Sequence, residues 1–228
     1  MGREMLRSDI EFVLDEEALL GRLHCDRDDE PFVRALELLD EARPLMRPAY
    51  AVREVSIDET GPTSFSAGGQ RFHSKIASLK LKDQSSAFVY LATSGREIAD
   101  YVVGLEDDLD NYLADTLAYM CYLRGIEAMS ADLDREWGIQ RYVSLCPGSI
   151  IDWSVGDVRK IFTLMGDLCE RLGARVLDSG MIDPIKSTSG FFYPSEEDFE
   201  SCAICPRANC PNRKAPFDEE MHNEMANL

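Results

Sequence analysis

The chain has 228 residues, 45% hydrophobic and 29% charged, enough to bury one core or one domain with a small appendage. Forty-two acidic against 24 basic side chains give a formal net charge of −18, which excludes a general basic footprint for nucleic acid and reads as a solubility device. No apolar run is long enough for a membrane span, and the opening Met1-Gly-Arg-Glu-Met-Leu-Arg has neither the apolar centre of a signal peptide nor the Ser or Thr at position 6 that myristoylation needs. The expected compartment is the cytoplasm, where thiols stay reduced, and seven cysteines there point to metal binding or reactivity rather than disulfides.

In chain order, residues 8–24 are expected to open with a short strand and continue as a helix capped at Asp15. Asp29 to Arg43 sets Phe32, Leu36, Leu39 and Ala42 at helical spacing, closed by Pro44 and Pro48, and the alternation from Tyr50 to Ile57 predicts a strand. Gly61-Pro62 and Gly68-Gly69 mark a loop. Ile76 to Leu81 roughly alternates, and Ala87 to Ala92 is continuously apolar; together they read as two neighbouring strands joined by Lys82–Ser86. Thr93-Ser94-Gly95 is a strand-to-helix turn whose N–H groups would suit an anion, although such a segment is more often only a turn.

From Arg96 to Leu133 the pattern is helical, in two pieces broken near Gly104, with Leu109, Leu113, Leu117, Met120, Leu123 and Met129 as the buried stripe. Glu106, Asp107 and Asp108 crowd the start of the second piece, where the helix dipole favours acids. Ser154-Val-Gly-Asp157 fits a capping box leading into a helix that Gly173 ends, and a strand follows from Ala174. After Pro194, Ser-Glu-Glu-Asp-Phe-Glu reads as an acidic linker or short helix leading into the cysteines. The elements do not alternate as βαβ units and no nucleotide-binding glycine motif occurs, so an α+β fold with a largely antiparallel sheet is expected.

Two constellations carry chemistry. Cys202-x2-Cys205-x4-Cys210 spaces three thiols for an iron–sulfur cluster or zinc, against the plain alternative of unligated reduced thiols. Cys146 is the first candidate for a fourth ligand, then His222 for zinc, then Cys25; Cys121 and Cys169 lie in helical patterns as core residues. Arg207, Arg213 and Lys214 make a local basic patch that would offset cluster charge or dock an acidic partner. The second constellation is a pair of turns, Cys146-Pro-Gly-Ser149 and Ser187-Thr-Ser-Gly190, each exposing N–H groups and hydroxyls to a small polar ligand. The three histidines sit in unrelated contexts and give no Ser-His-Asp arrangement.

At these residues the sequence resembles the reactivation (activation) domain of vitamin B12-dependent methionine synthase, and more closely its stand-alone relatives. The resemblance runs from about Ser78 to Tyr193. It is carried by Ala92-Thr-Ser-Gly95, the helix with Ile126-Glu-Ala-Met-Ser-Ala-Asp-Leu133, Pro147-Gly-Ser-Ile-Ile-Asp-Trp153, and Met181-Ile-Asp-Pro-Ile-Lys-Ser-Thr-Ser-Gly-Phe-Phe192. It implies a C-shaped, helmet-like α+β domain, a largely antiparallel sheet flanked by helices, over residues 1–195, followed by a cysteine-containing segment over 196–228. It also implies binding of S-adenosylmethionine and closure over cobalamin carried by a partner, so that cob(II)alamin is reduced and methylated, with flavodoxin or ferredoxin as electron donor.

Carried over residue by residue, Glu127 stands where the family holds the adenosylmethionine amino group, and Arg141 and Gly148 match the Arg and Gly of its R-x-x-x-G-Y signature. Here those two are seven apart, and Ser149 replaces the Tyr. The expected binding residues are therefore Glu127, Arg141, Gly148, Ser149, Ser187, Ser189 and Gly190, and the expected metal ligands Cys202, Cys205, Cys210 and Cys146. The expected function is reductive reactivation of a separate corrinoid protein or cobalamin-dependent methyltransferase, with a C-terminal iron–sulfur cluster as electron relay. Two other readings stand beside it: a non-catalytic, zinc-stapled module docking on a corrinoid methyltransferase, and an independent S-adenosylmethionine-binding enzyme.

Overall fold

The structure, a computed structural model, describes residues 2–205, 207, 210 and 213–226. The strands are β1 (Glu4–Arg7), β2 (Ala49–Thr60), β3 (Phe65–Ala67), β4 (Gln70–Phe72), β5 (Ser86–Thr93), β6 (Tyr142–Leu145), β7 (Arg175–Val176), β8 (Ile182–Asp183) and β9 (Ser187–Pro194). The helices are α1 (Glu16–Leu23), α2 (Glu30–Ala42), α3 (Lys75–Leu81), α4 (Arg96–Gly104), α5 (Asp108–Trp137), α6 (Val158–Met165), α7 (Asp167–Arg171), α8 (Ser201–Ile204) and α9 (Glu219–Ala226). Seven strands form one antiparallel sheet in the order β4-β3-β2-β5-β9-β6, with β1 on the far end of β2; β7 and β8 pair separately.

Strand alternation assigns the two faces of this sheet. Ala87, Val89 and Leu91 of β5, with Phe191 and Tyr193 of β9, point into a core covered by α3, α6 and α7. Phe88, Tyr90 and Ala92, with Phe192, point to the opposite core, covered by the second half of α5. A third cluster lies off the sheet among α1, α2, α4 and the first half of α5. The first core is aromatic. Phe65 and Phe72 stack at 4.9 Å, and Phe191 meets both rings edge-on at 5.5 and 5.2 Å, with Trp153 alongside. Phe199 and Ile204 of the C-terminal tail are buried in the same core, and Met221 packs against it.

Local signals placed many elements. Asp15 caps α1 through the Ala18 N–H at 3.0 Å, and Asp107 caps α5 through the N–H groups of Leu109 and Asp110. The expected strand in residues 8–24 lies earlier, at Glu4–Arg7, where it pairs with Arg53–Tyr50. Of the expected stripe on α5, Leu113, Leu117, Met120 and Met129 are buried, whereas Leu109 is exposed.

Three further expectations are corrected. Ile76–Leu81 is the helix α3, because Ser74 accepts from the Ala77 N–H at 3.0 Å and the distant Asp152 carboxylate accepts from the Lys75 N–H and the Ser74 hydroxyl. The helix after Ser154 ends at Gly166 rather than Gly173; there Arg53 reaches in from β2 to the Leu164 carbonyl and the Asp167 carboxylate. Ser154 accepts from the Gly156 N–H as a cap should, but the Asp157 carboxylate is taken by Trp153 Nε1 and Lys160. Finally, Ser187-Thr-Ser-Gly190 is not a loop: it opens β9, paired with β5 along one edge, while β6 joins the other edge only from Phe191 on. A Cβ on Gly190 would stand 2.5 Å from the Leu145 carbonyl, so the close strand approach demands glycine.

One buried charge ties β1, β2 and α5 together. Asp132 is only 2% exposed; its carboxylate accepts from Tyr50 at 2.5 Å and from Arg7 at 3.1 Å, and pairs with Arg135 at 2.6 Å. Burial alone would raise this carboxyl, but the hydrogen bonds from Tyr50 and Arg7 outweigh it and hold the group below its ordinary value of 3.8.

Two outcomes follow for stability. Phe191→Ala leaves a cavity among the rings of Phe65, Phe72 and Trp153 and is expected to cost about 3–5 kcal/mol in denaturant unfolding; a loss under about 1 kcal/mol would mean the ring contacts are not where the stability resides. Asp132→Asn is expected to cost about 2 kcal/mol at neutral pH. Because the folded carboxyl is depressed, its stabilisation is complete above pH 3.8 and fades as pH falls below that value. The gap between wild type and Asp132→Asn, followed by unfolding at several pH values, should therefore narrow in acid; a gap that widens contradicts this account.

Candidate functional site

A cleft of about 570 Å³ opens at the β6 side of the sheet. Its sheet wall is Tyr90 of β5, Tyr142 and Ser144 of β6, and Ser187 and Thr188 of β9. The Cys146–Ser149 turn forms one rim and α5 the other. On α5, Tyr119, Tyr122, Ile126 and Met129 follow one another at three- and four-residue steps, so one helix face looks into the opening. The tail closes the remaining side with Glu200, Ser201, Cys202 and Lys214.

The cleft is lined by phenols that stay protonated. Tyr90 is buried and lies 3.0 Å from Ser144 Oγ and 3.1 Å from Cys146 Sγ; burial first, and then the Cys146 sulfur, push its phenol far above the usual value. Burial likewise raises Tyr119, Tyr122 and Tyr142, the last with its hydroxyl 2.7 Å from Ser130. Lys186 is neutralised by Asp115 at 2.8 Å. Such a wall offers hydrogen-bonding hydroxyls, aromatic faces and two soft thiols. It is built to hold and orient a ligand rather than to abstract a proton.

The expected site residues divide. Cys146, Ser149, Ser187 and Cys202 line the cleft. Ser189 lines an adjoining cavity of about 200 Å³ that shares Cys146, Pro147, Ser187 and Thr188 with it, and its hydroxyl donates to the Tyr90 carbonyl at 2.7 Å. Gly148 sits behind the rim at φ +83°, and its N–H donates to the Trp153 carbonyl at 2.9 Å. Glu127 is exposed and paired with Arg124 at 3.5 Å, and Arg141 is exposed and paired with Glu196 at 3.0 Å; neither lines the cleft. The turn at Thr93–Gly95 does not leave its donors free, since the Ser94 N–H goes to the Lys186 carbonyl and the Gly95 N–H to Thr93 Oγ1.

The tail thiols are held by Arg213, whose guanidinium donates to the carbonyls of Cys202, Cys205, Arg207 and Ala215 at 2.6–3.2 Å. Among the described residues no group of three or more His, Cys, Asp or Glu side chains is placed to hold a metal ion. His222 Nδ1 is 2.7 Å from the Ile204 carbonyl, and Cys25 packs against the separate helical cluster. Cys121 and Cys169 are buried, and burial pushes both thiols up to about 12.

No family model matches the chain, and no curated protein matches it in sequence. A solved structure does match in shape. The crystal structure of the MetH reactivation domain bound to AdoHcy superposes with a TM-score of 0.63, covering 88% of this chain and 81% of that one at 15% identity. The protein has the fold of a methionine synthase reactivation domain. At that identity the shared feature is the arrangement of sheet and helices. Within this reactivation-domain fold, the cleft residues that sequence reasoning missed include Tyr90, Tyr119, Tyr122, Tyr142 and Glu200, whereas Thr188 lies in the Ser187–Gly190 segment and Lys214 in the basic patch it singled out. The signal that could have found two of them is the pair of tyrosines at helical spacing, Tyr119-x2-Tyr122. No described helix is long and apolar enough to cross a membrane.

In chelator-treated protein, thiol-reactive dye at neutral pH should label five of the seven cysteines rapidly, sparing Cys121 and Cys169 until the chain is unfolded. Rapid loss of either buried thiol in the native state would contradict the packing described.

Proposed function

We propose that this protein serves the reductive reactivation of a corrinoid carried by a separate protein, with S-adenosylmethionine as methyl donor. The observation that carries the reading is the cleft itself. A phenol- and hydroxyl-lined opening between the Cys146–Ser149 turn and the start of β9, in a chain with the reactivation-domain fold, is the right kind of surface to hold an adenosyl thioether. The solved domain of similar fold was determined with AdoHcy, the thioether that remains once such a donor has given up its methyl group.

Bound S-adenosylmethionine would supply an electrophilic methyl group. The chain's own part is positioning. Tyr122, Tyr142 and Thr188 offer neutral donors and ring faces that fix a nucleoside, while the sheet wall excludes water from one side. The corrinoid enters as the partner's cargo at the cleft mouth, where Ile185 and Met181 leave apolar surface exposed. The electron comes from an external donor of the flavodoxin or ferredoxin kind. Cys202, Cys205 and Cys210 remain proposed ligands for an iron–sulfur cluster or zinc on their spacing, with Cys146 as the fourth because it shares the cleft with Cys202. Among the described residues these thiols do not converge on one point, so the reading routes no electron through them.

The test uses anaerobically purified protein, a corrinoid protein in the cob(II)alamin state, S-adenosylmethionine and a low-potential reductant. Methylcobalamin formation followed by absorbance should be faster with the protein than without it, and slower again with Thr188→Val. No stimulation, together with no co-migration with corrinoid protein, would sink the reading. Iron and acid-labile sulfide on the same sample decide the metal: both present support a cluster, and zinc without sulfide supports a structural staple.

A further inference from the structure

The cleft contains opposite charges that do not neutralise each other. Lys186 already has Asp115. Glu200 and Lys214, by contrast, both exposed and both on the tail wall, line the same opening without an ion-pair partner among the described residues. Elsewhere the molecule pairs its charges freely, for example Lys80 with Glu197 and Arg141 with Glu196 a few residues upstream. Burial first, and to a lesser degree the Glu200 carboxylate, raise the Tyr142 phenol on the sheet wall of the same cleft.

An unpaired acid and an unpaired base on one wall of a phenol-lined cleft match a ligand that carries both charges on a small end and an aromatic body behind it. The ammonium of an α-amino acid would meet Glu200, and its carboxylate would meet Lys214. The purine would lie against the rings of Tyr122 and Tyr142. Glu127 and Arg141 are not among the residues that line the cleft, and each makes a surface ion pair with another side chain.

We infer that the amino-acid end of an adenosyl thioether is read by Glu200 and Lys214, so that the C-terminal tail is a specificity-determining wall of the binding site. The inference rests on the adenosyl ligand of the preceding section. It gives the tail a role independent of any metal. Both side chains are exposed and neither belongs to the core, so their replacement leaves the fold intact.

Equilibrium binding of two probes to the full chain tests it: AdoHcy, and 5′-methylthioadenosine, which keeps the adenosine and sulfur but lacks the amino acid. Glu200→Gln and Lys214→Met should each weaken AdoHcy by about tenfold while leaving methylthioadenosine unchanged. Unchanged AdoHcy affinity in both variants overturns the inference and leaves the adenosyl reading standing. So does the reverse pattern, in which Glu127→Gln and Arg141→Ala weaken AdoHcy and the tail variants do not. Equal weakening of both probes also overturns it, because the charges then act on something other than the amino-acid end. Failure of the wild-type protein to bind either probe overturns both the inference and the adenosyl ligand it rests on.

Discussion

Strand β9 has to meet two demands along eight residues, and the rest of the molecule is arranged around how it does so. Its second half is Phe191-Phe192-Tyr193, which alternates large rings into the two cores on opposite faces of the sheet. Its first half is Ser-Thr-Ser-Gly, paired with β5 on one edge and polar enough to leave hydroxyls at the cleft on the other, with Gly190 letting the end of β6 close in. The hydroxyls are not left unsatisfied: Ser187 donates to Thr93 and Ser189 to the Tyr90 carbonyl. One strand therefore anchors the hydrophobic cores at one end and furnishes a binding wall at the other. The site is rigid because the element that builds it is buried in the middle of the sheet.

The chemistry of the cleft follows from that burial. A phenol in low dielectric resists ionisation, so the tyrosines act as neutral donors over the whole physiological range. The same surroundings strengthen any charge contact made by a ligand, while Lys186 is held quiet by Asp115. What distinguishes one ligand from another is then left to the residues whose charges are not already spoken for, and these come from the tail.

Much of this was legible in the sequence, and the failures have definite causes. The caps at Asp15 and Asp107, the break near Gly104 and the continuous apolar strand at Ala87–Ala92 are local signals, and the fold used them as written. The antiparallel α+β class followed from element order. Ile76–Leu81 misled because its near-alternation outweighed the local cap at Ser74, and the second hold on the helix start, Asp152, lies more than seventy positions away where no local window contains it. Ser187–Gly190 misled because small polar residues mark loops on average, whereas here they mark the place where three strands crowd together. The rims of the cleft were found through Cys146, Ser149 and Ser187; its tyrosine wall was not, because a helix face that lines a cavity and one that lines a core carry the same spacing.

The tail shows how the three levels connect. Phe199 and Ile204 are buried in the sheet core, so the segment is fixed by the same hydrophobic contacts that hold β5 and β9 together. Arg213 gathers the carbonyls of the cysteine loop, which orients the backbone of Cys202 and its neighbours. Between Phe199 and Ile204 run Glu200, Ser201 and Cys202, which face the cleft. A ligand that binds there stabilises the tail's seat on the core by mass action, and any change in the cysteine loop is felt at the cleft through Cys202. Core, thiols and cleft thus share one segment, and the position of that segment sets what the cleft can hold.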